Sequence, residues 1–137
     1  MTVLIDTNVI LDYVLKREPF AEDALACLDH LIIKKEKSWL TASTITDIYY
    51  VTRRALRDGE KAKGVIAKLL NAFQIAAVDK TDCVNALDVD FDDYEDALVF
   101  ACAKKIKAEY IITRNKGDFV DSSITVVTPA EFLSGQE

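Results

Sequence analysis

Short apolar runs alternate with longer stretches in which apolar residues recur every three or four positions along this chain of 137 residues. Val3-Leu4-Ile5 is a run that stops at Asp6 and predicts a buried strand. Thr7 or Asn8 can cap a helix to about Leu15, with Val9, Ile10, Tyr13 and Val14 on one face. Pro19 separates it from a helix over 20–34, whose core stripe is Ala24, Leu25, Leu28, Leu31 and Ile32. Trp39-Leu40-Thr41 predicts a second strand, and Ser43 or Thr44 the cap of a helix that Asp58-Gly59 ends after Arg57. A helix over 60–70, a strand over 73–76 and a short helix from Thr81 to Leu87 follow. A helix from about Asp93 to Ile106 leads to a strand over 110–113, a polar loop from Arg114 to Asp118 and a last strand over 124–127. Thr128-Pro129-Ala130-Glu131 joins a capping box to a proline at the first helical position, which predicts a terminal helix.

Apolar strands alternating with helices give an α/β class, a central and mainly parallel sheet flanked by helices. With no linker, repeat or low-complexity tract, the whole of 1–137 reads as one domain. Hydrophobic residues are 50% of the chain, enough for a core without disulfides. Cys27, Cys83 and Cys102 are odd in number and lack CxxC spacing, so they read as core filler in a reducing compartment. The start carries no basic leader and no run reaches the length of a membrane span, so the expectation is a soluble, cytoplasmic protein.

Charge narrows the chemistry. The net charge is −6, against bulk nucleic-acid binding, yet six of the acids (Asp88, Asp90, Asp92, Asp93, Glu95, Asp96) fall within 88–96 and the rest is neutral. One histidine, His30, argues against Ser-His-Asp and Cys-His mechanisms, which need a positioned imidazole. Catalysis would have to run on carboxylates. Asp6 ends the first strand, Asp118 lies in the loop after the fourth, and Asp47 and Asp96 fall in the first turns of their helices. In a parallel sheet these four segments can meet beyond the carboxyl ends of the strands, where a divalent cation would offset their repulsion. Oxygen-only ligation favours Mg²⁺ or Mn²⁺ over Zn²⁺. Bland roles stay open: Thr44/Asp47 and Asp93/Asp96 have the spacing of helix caps, Asp118 follows Gly117 as a turn residue would, and Asp88, Asp90 and Asp92 read as a solvated loop.

Four stretches carry a family resemblance. Val3-Leu4-Ile5-Asp6-Thr7-Asn8 resembles the opening of a PIN domain, the fold of many bacterial VapC-type toxin ribonucleases. Asp93-Tyr94-Glu95-Asp96-Ala97-Leu98, Thr113-Arg114-Asn115-Lys116-Gly117-Asp118-Phe119 and Thr128-Pro129-Ala130-Glu131-Phe132 match in order and spacing, covering the chain from end to end. The resemblance implies a PIN-like domain with metal-dependent endoribonuclease activity, in which Asp6, Asp47, Asp96 and Asp118 are the catalytic acids. Asp6, Asp96 and Asp118 would ligate one or two cations, with Asn8, Asp93, Thr113 and Asn115 in support. Asp47 stands where relatives usually carry Glu, one methylene longer, so a water can bridge it to the metal; Asn115 stands where many carry Asp.

RNA would need cations, for which Arg53, Arg57, Arg114 and Lys116 are candidates, with solvated helix faces as the plain reading. The resemblance further implies a homodimer and a small antitoxin protein that lays a segment, often with an Arg, into the acidic pocket. Two rivals remain: a phosphotransferase with Asp6 as nucleophile, which Asn8 disfavours because the acid is wanted there, and a catalytically degenerate PIN-fold protein that binds protein or RNA.

Overall fold

The first apolar run becomes the middle of the molecule. β1 (Thr2–Ile5) lies between β2 (Lys37–Thr41) and β4 (Tyr110–Ile112), with β3 (Gln74–Ala76) and β5 (Thr125–Val127) outside them, in the order β3-β2-β1-β4-β5. All four pairings are parallel, with Leu4 beside Trp39 and Ile5 beside Ile112. The computed structural model describes residues 1–119 and 123–135, so the last two positions of the expected 1–137 domain lie outside the described residues.

The helices are α1 (Thr7–Leu15), α2 (Ala21–Ile33), α3 (Ala42–Leu56), α4 (Gly59–Ala72), α5 (Lys80–Leu87), α6 (Tyr94–Lys105) and α7 (Pro129–Gly135), with a 3₁₀ turn at Lys116–Phe119. A strand sends alternate side chains to opposite faces, and β1 feeds two cores in this way. Val3 and Ile5 join Val9, Ile10, Leu28, Leu31, Ile48 and Phe132 on one side; Leu4 joins Val99, Phe100, Ala103, Ile111 and Phe119 on the other. Cys27 and Cys102 are buried in apolar surroundings. Among the described residues no helix is long and apolar enough to cross a membrane.

Helix starts differ from the expected ones by a few residues, for one reason. Asp6 and Thr41 still hold extended backbone as they leave the sheet, so the strand's own last residue or its neighbour becomes the cap rather than the polar residue after it. Asp6, not Thr7 or Asn8, caps α1, and Thr41, not Ser43 or Thr44, precedes α3. Asp79, not Thr81, opens α5 through a reciprocal box with Asp82. Because α3 begins at Ala42, Asp47 lies in its second turn rather than its first. The Thr128/Glu131 box forms as expected, each side chain meeting the other's backbone N–H.

Lys16 ends α1 in the left-handed conformation at φ 53°, where a Cβ is strained. Lys16→Gly should raise the unfolding free energy by about 0.5–1 kcal/mol in urea titrations.

Candidate active site

Strand order reverses between β1 and β4, and a crevice opens there beyond the carboxyl ends of both strands. Asp6 leaves β1 and Thr113 leaves β4 on its two sides. Thr113 Oγ1 donates to Asp6 Oδ2 at 2.8 Å and the Thr7 N–H donates to Asp6 Oδ1 at 2.9 Å. Asp6 is only 7% exposed. Burial raises its carboxyl above the ordinary range, and the Asp118 charge adds to this; the Thr113 and Thr7 hydrogen bonds and Arg114 act the other way. Thr113 Oγ1 also accepts from the Asn115 N–H at 3.1 Å, so one hydroxyl fixes both the acid and the start of the next loop.

Asp6, Asn8, Asp93, Glu95, Asp96, Asn115 and Asp118 line a single cleft of about 300 Å³. Asp93 caps α6, accepting from the Asp96 N–H at 3.2 Å, so the cap role and a place in the cleft coexist. Half-buried Asp96 is pushed up to about 7 by loss of water and then by Asp6, Asp93, Asp118 and Glu95. Glu95 is raised too, by desolvation and by the charges of Asp6, Asp47 and Asp93. Asp118 stands in the 3₁₀ turn, its N–H on the Asn115 carbonyl at 3.0 Å. Asp47 is exposed and is not among the residues lining the cleft; its charge reaches the cleft through Glu95. Glu95 was missed in the sequence, where it reads as one more acid of a solvated run.

The donors suit a hard divalent cation. They are carboxylates and amides without a thiolate or imidazole, and Thr7 Oγ1 is buried in the cleft wall with no hydrogen-bond partner among the described residues. Among the described residues no three acids are drawn together as a closed ligand set, so the cleft is open and an ion would have to gather them. A larger and mostly apolar cavity, about 590 Å³, lies elsewhere, between α1, α2 and α4.

A second buried acid, to which the sequence assigns no role, lies on α1, the helix that carries Asn8 into the cleft. Asp12, 1% exposed, meets Arg17 Nε at 3.0 Å and Arg114 Nε at 3.1 Å, the latter as a charge pair without an aligned N–H. The Arg114 guanidinium lies 4.1 Å from the Phe20 ring centre, and its backbone N–H reaches Asn8 Oδ1 at 3.5 Å. Arg114, a candidate for RNA contact, is thus turned inward to tie the loop bearing Asn115 and Asp118 to α1. Its signal was a lone acid inside the apolar stretch Val9-Ile10-Leu11-Asp12. Lys116 pairs with Glu131 at 2.9 Å. Arg53 and Arg57 are exposed on α3, away from the cleft lining.

Two outcomes follow from this electrostatic arrangement. Asp12→Ala strands two arginines and should cost about 2–3 kcal/mol in denaturant titrations, discounted from the fully buried case because both guanidiniums reach water. The folded state keeps protons on Asp6 and Asp96 that the unfolded chain has released, so stability should fall as pH rises through this window. Asp82 and Glu131, both lowered, act oppositely but only at or below their ordinary range. In EDTA, stability should therefore drop between about pH 5 and pH 7, by on the order of 2 kcal/mol, and Asp96→Asn should flatten the slope. A stability that rises across that interval would contradict the raised acids.

Comparison with known proteins places the fold. Ribonuclease VapC1 of Aquifex aeolicus is 29% identical over 135 residues, covering 95% of this chain and 92% of that protein. The crystal structure of FitAcB from Neisseria gonorrhoeae superposes with a TM-score of 0.72 at 24% identity, covering 94% of this chain and 99% of that one. A toxin-antitoxin complex from Klebsiella pneumoniae superposes with a TM-score of 0.71 at 21% identity, over 93% and 98%. The sequence profile described as the PIN domain matches residues 2–117, from β1 through the loop that carries Asn115. Sequence profile, parallel sheet and acid-lined crevice coincide: the chain belongs to the PIN domain family.

Proposed function

We propose that this protein is a divalent-metal-dependent endoribonuclease that hydrolyses RNA phosphodiester bonds, as the toxin of a toxin-antitoxin pair. The observation that carries the reading is the cleft itself: oxygen donors gathered at the strand switch point, with Asp96 raised to about 7 by burial and then by its acidic neighbours, a repulsion that a cation would relieve. The Aquifex relative's name, a ribonuclease, and the Klebsiella toxin-antitoxin complex support it.

Asp6, Asp96 and Asp118 would hold Mg²⁺ or Mn²⁺, and Asp47, outside the cleft lining, would act on it through water. A cation bound there makes a water more acidic and stabilises charge on the attacking and leaving oxygens of the phosphodiester. The protein's own part is positioning. Thr113 and the Thr7 N–H each occupy one lone pair of Asp6, fixing the carboxylate while leaving its other lone pairs available. Asn8, Asp93 and Asn115 support the cleft by the hydrogen bonds described.

The antitoxin reading draws support from the apolar groove lined by Tyr13, Val14, Leu25, Ile32, Val65 and Phe73, which an amphipathic segment can fill. Exposed Val84, Leu87 and Tyr94 give α5 and the start of α6 an apolar face to offer a second copy in a homodimer. The reading places the protein in the cytoplasm, where Cys27, Cys83 and Cys102 stay as free thiols. A degenerate, binding-only module is the second reading, favoured by the open spacing of the acids.

Purified protein with total RNA should cut in Mn²⁺ or Mg²⁺ and stop in EDTA. Asp6→Asn should lose at least about 100-fold in rate while remaining folded, because the size is kept and the ligand charge is gone. Asp47→Ala should be milder than Asp96→Ala. Wild-type activity in Asp6→Asn would end the nuclease assignment, and a melting temperature indifferent to Mn²⁺ would favour the binding-only module.

A further inference from the structure

Three arginines share a cavity at the far end of α3. Tyr50, Arg53, Arg54, Arg57, Asp58 and Gly59 line a space of about 530 Å³. None of the three arginines forms an ion pair among the described residues, whereas Arg17, Lys63, Lys105, Arg114 and Lys116 all do. The one carboxylate in the cavity wall, Asp58, is engaged in capping α4, its Oδ1 accepting from the N–H groups of Glu60 and Lys61. Three arginines beside one carboxylate that is already engaged leave an excess of positive charge in the cavity, which suits an anion even on a chain of net charge −6.

The aromatic at the same place narrows the anion. Tyr50 is 59% exposed, edge-on to Tyr49, and stands one turn before Arg53 and Arg54. Exposed aromatics interleaved with unpaired arginines are how proteins hold single-stranded nucleic acid, bases stacking on the ring and phosphates meeting the guanidiniums. An acidic peptide would use the charges but has no need of the ring.

The position fits as well. Asp47, Tyr50, Arg54 and Arg57 follow one another at helical spacing, so they form one exposed stripe along α3. At 1.5 Å per residue the stripe runs roughly 15 Å from Asp47 to Arg57. Its first member feels the cleft through Glu95. A strand cut at the acids would be repelled by every carboxylate it does not share with a cation, and needs its affinity from cations further along.

We infer that the Tyr50–Arg53–Arg54–Arg57 cavity is a subsite for single-stranded RNA flanking the scissile phosphate, reached along the exposed face of α3. The inference rests on the nuclease reading for its substrate, and binding without cleavage tests it separately.

The experiment is fluorescence anisotropy with a labelled oligouridylate of about ten nucleotides, in EDTA, at several salt concentrations. Arg53→Gln with Arg57→Asn, the Asn chosen because Arg57 sits at φ 54°, should lower the slope of log affinity against log salt by roughly 1.4, about 0.7 for each phosphate no longer neutralised. Tyr50→Ala should weaken binding at least about fivefold, and Tyr50→Phe should restore it, since stacking needs only the ring. Thermal melts check that each variant is folded. Unchanged affinity and slope, no RNA binding by the wild type, or tighter binding of an oligoglutamate than of the RNA would overturn the subsite. Wild-type binding without any cleavage in Mn²⁺ would instead remove the nuclease reading and leave the subsite standing. Cleavage by the wild type, with the arginine variants binding as it does, would remove the subsite alone.

Discussion

A carboxylate at the end of the most buried strand is the constraint around which this protein is arranged. β1 has neighbours on both edges and helices on both faces, so whatever follows Ile5 emerges from the interior with little water around it. Placing Asp6 there would be expensive for an isolated charge. Three features offset it: the Thr113 hydroxyl from the adjacent strand, the first N–H of α1, and a cleft wide enough for an ion. The first requires parallel strands ending at the same level, so the hydrogen bond that steadies the acid depends on the β1–β4 pairing.

The remaining acids extend the same frustration. Asp93, Glu95 and Asp96 arrive on the first turn of α6, where helix N-termini favour negative charge, and Asp118 arrives on the turn after β4. Local structure thus tolerates each acid separately, while their convergence raises Asp6, Glu95 and Asp96 together. The fold stores a repulsion that a divalent cation would relieve. Asp12 shows the opposite solution, a buried acid answered by Arg17 and Arg114, and it stiffens the wall on which Asn115 and Asp118 are carried.

Positive charge is distributed by the same logic. Lys105 is committed to Asp82 and the Ala77 carbonyl, Lys116 to Glu131, and Arg114 to Asp12. Those cations brace the structure, while Arg53, Arg54 and Arg57 form no ion pair among the described residues. Acidic cleft and basic cavity are separate surfaces of opposite sign, so the net charge of −6 describes neither of them.

The sequence by itself determined the element order, the parallel class and the chemistry of the crevice. Apolar runs such as Val3-Leu4-Ile5 and Tyr110-Ile111-Ile112 are unambiguous because a strand covered on both faces admits little else. The acids that follow such runs are legible because they interrupt them. Contacts between distant segments were decided only by tertiary structure: Thr113 on Asp6, Arg114 on Asp12, and Glu95 within the cleft while Asp47 stays at its rim. The partners in the first two pairs are about a hundred positions apart, and no local periodicity encodes which charge a folded helix will meet. Arg114 looks like a surface cation in sequence and is an internal strut in space, because the buried Asp12 is balanced by a guanidinium from the loop after β4 as well as by Arg17 close by in sequence.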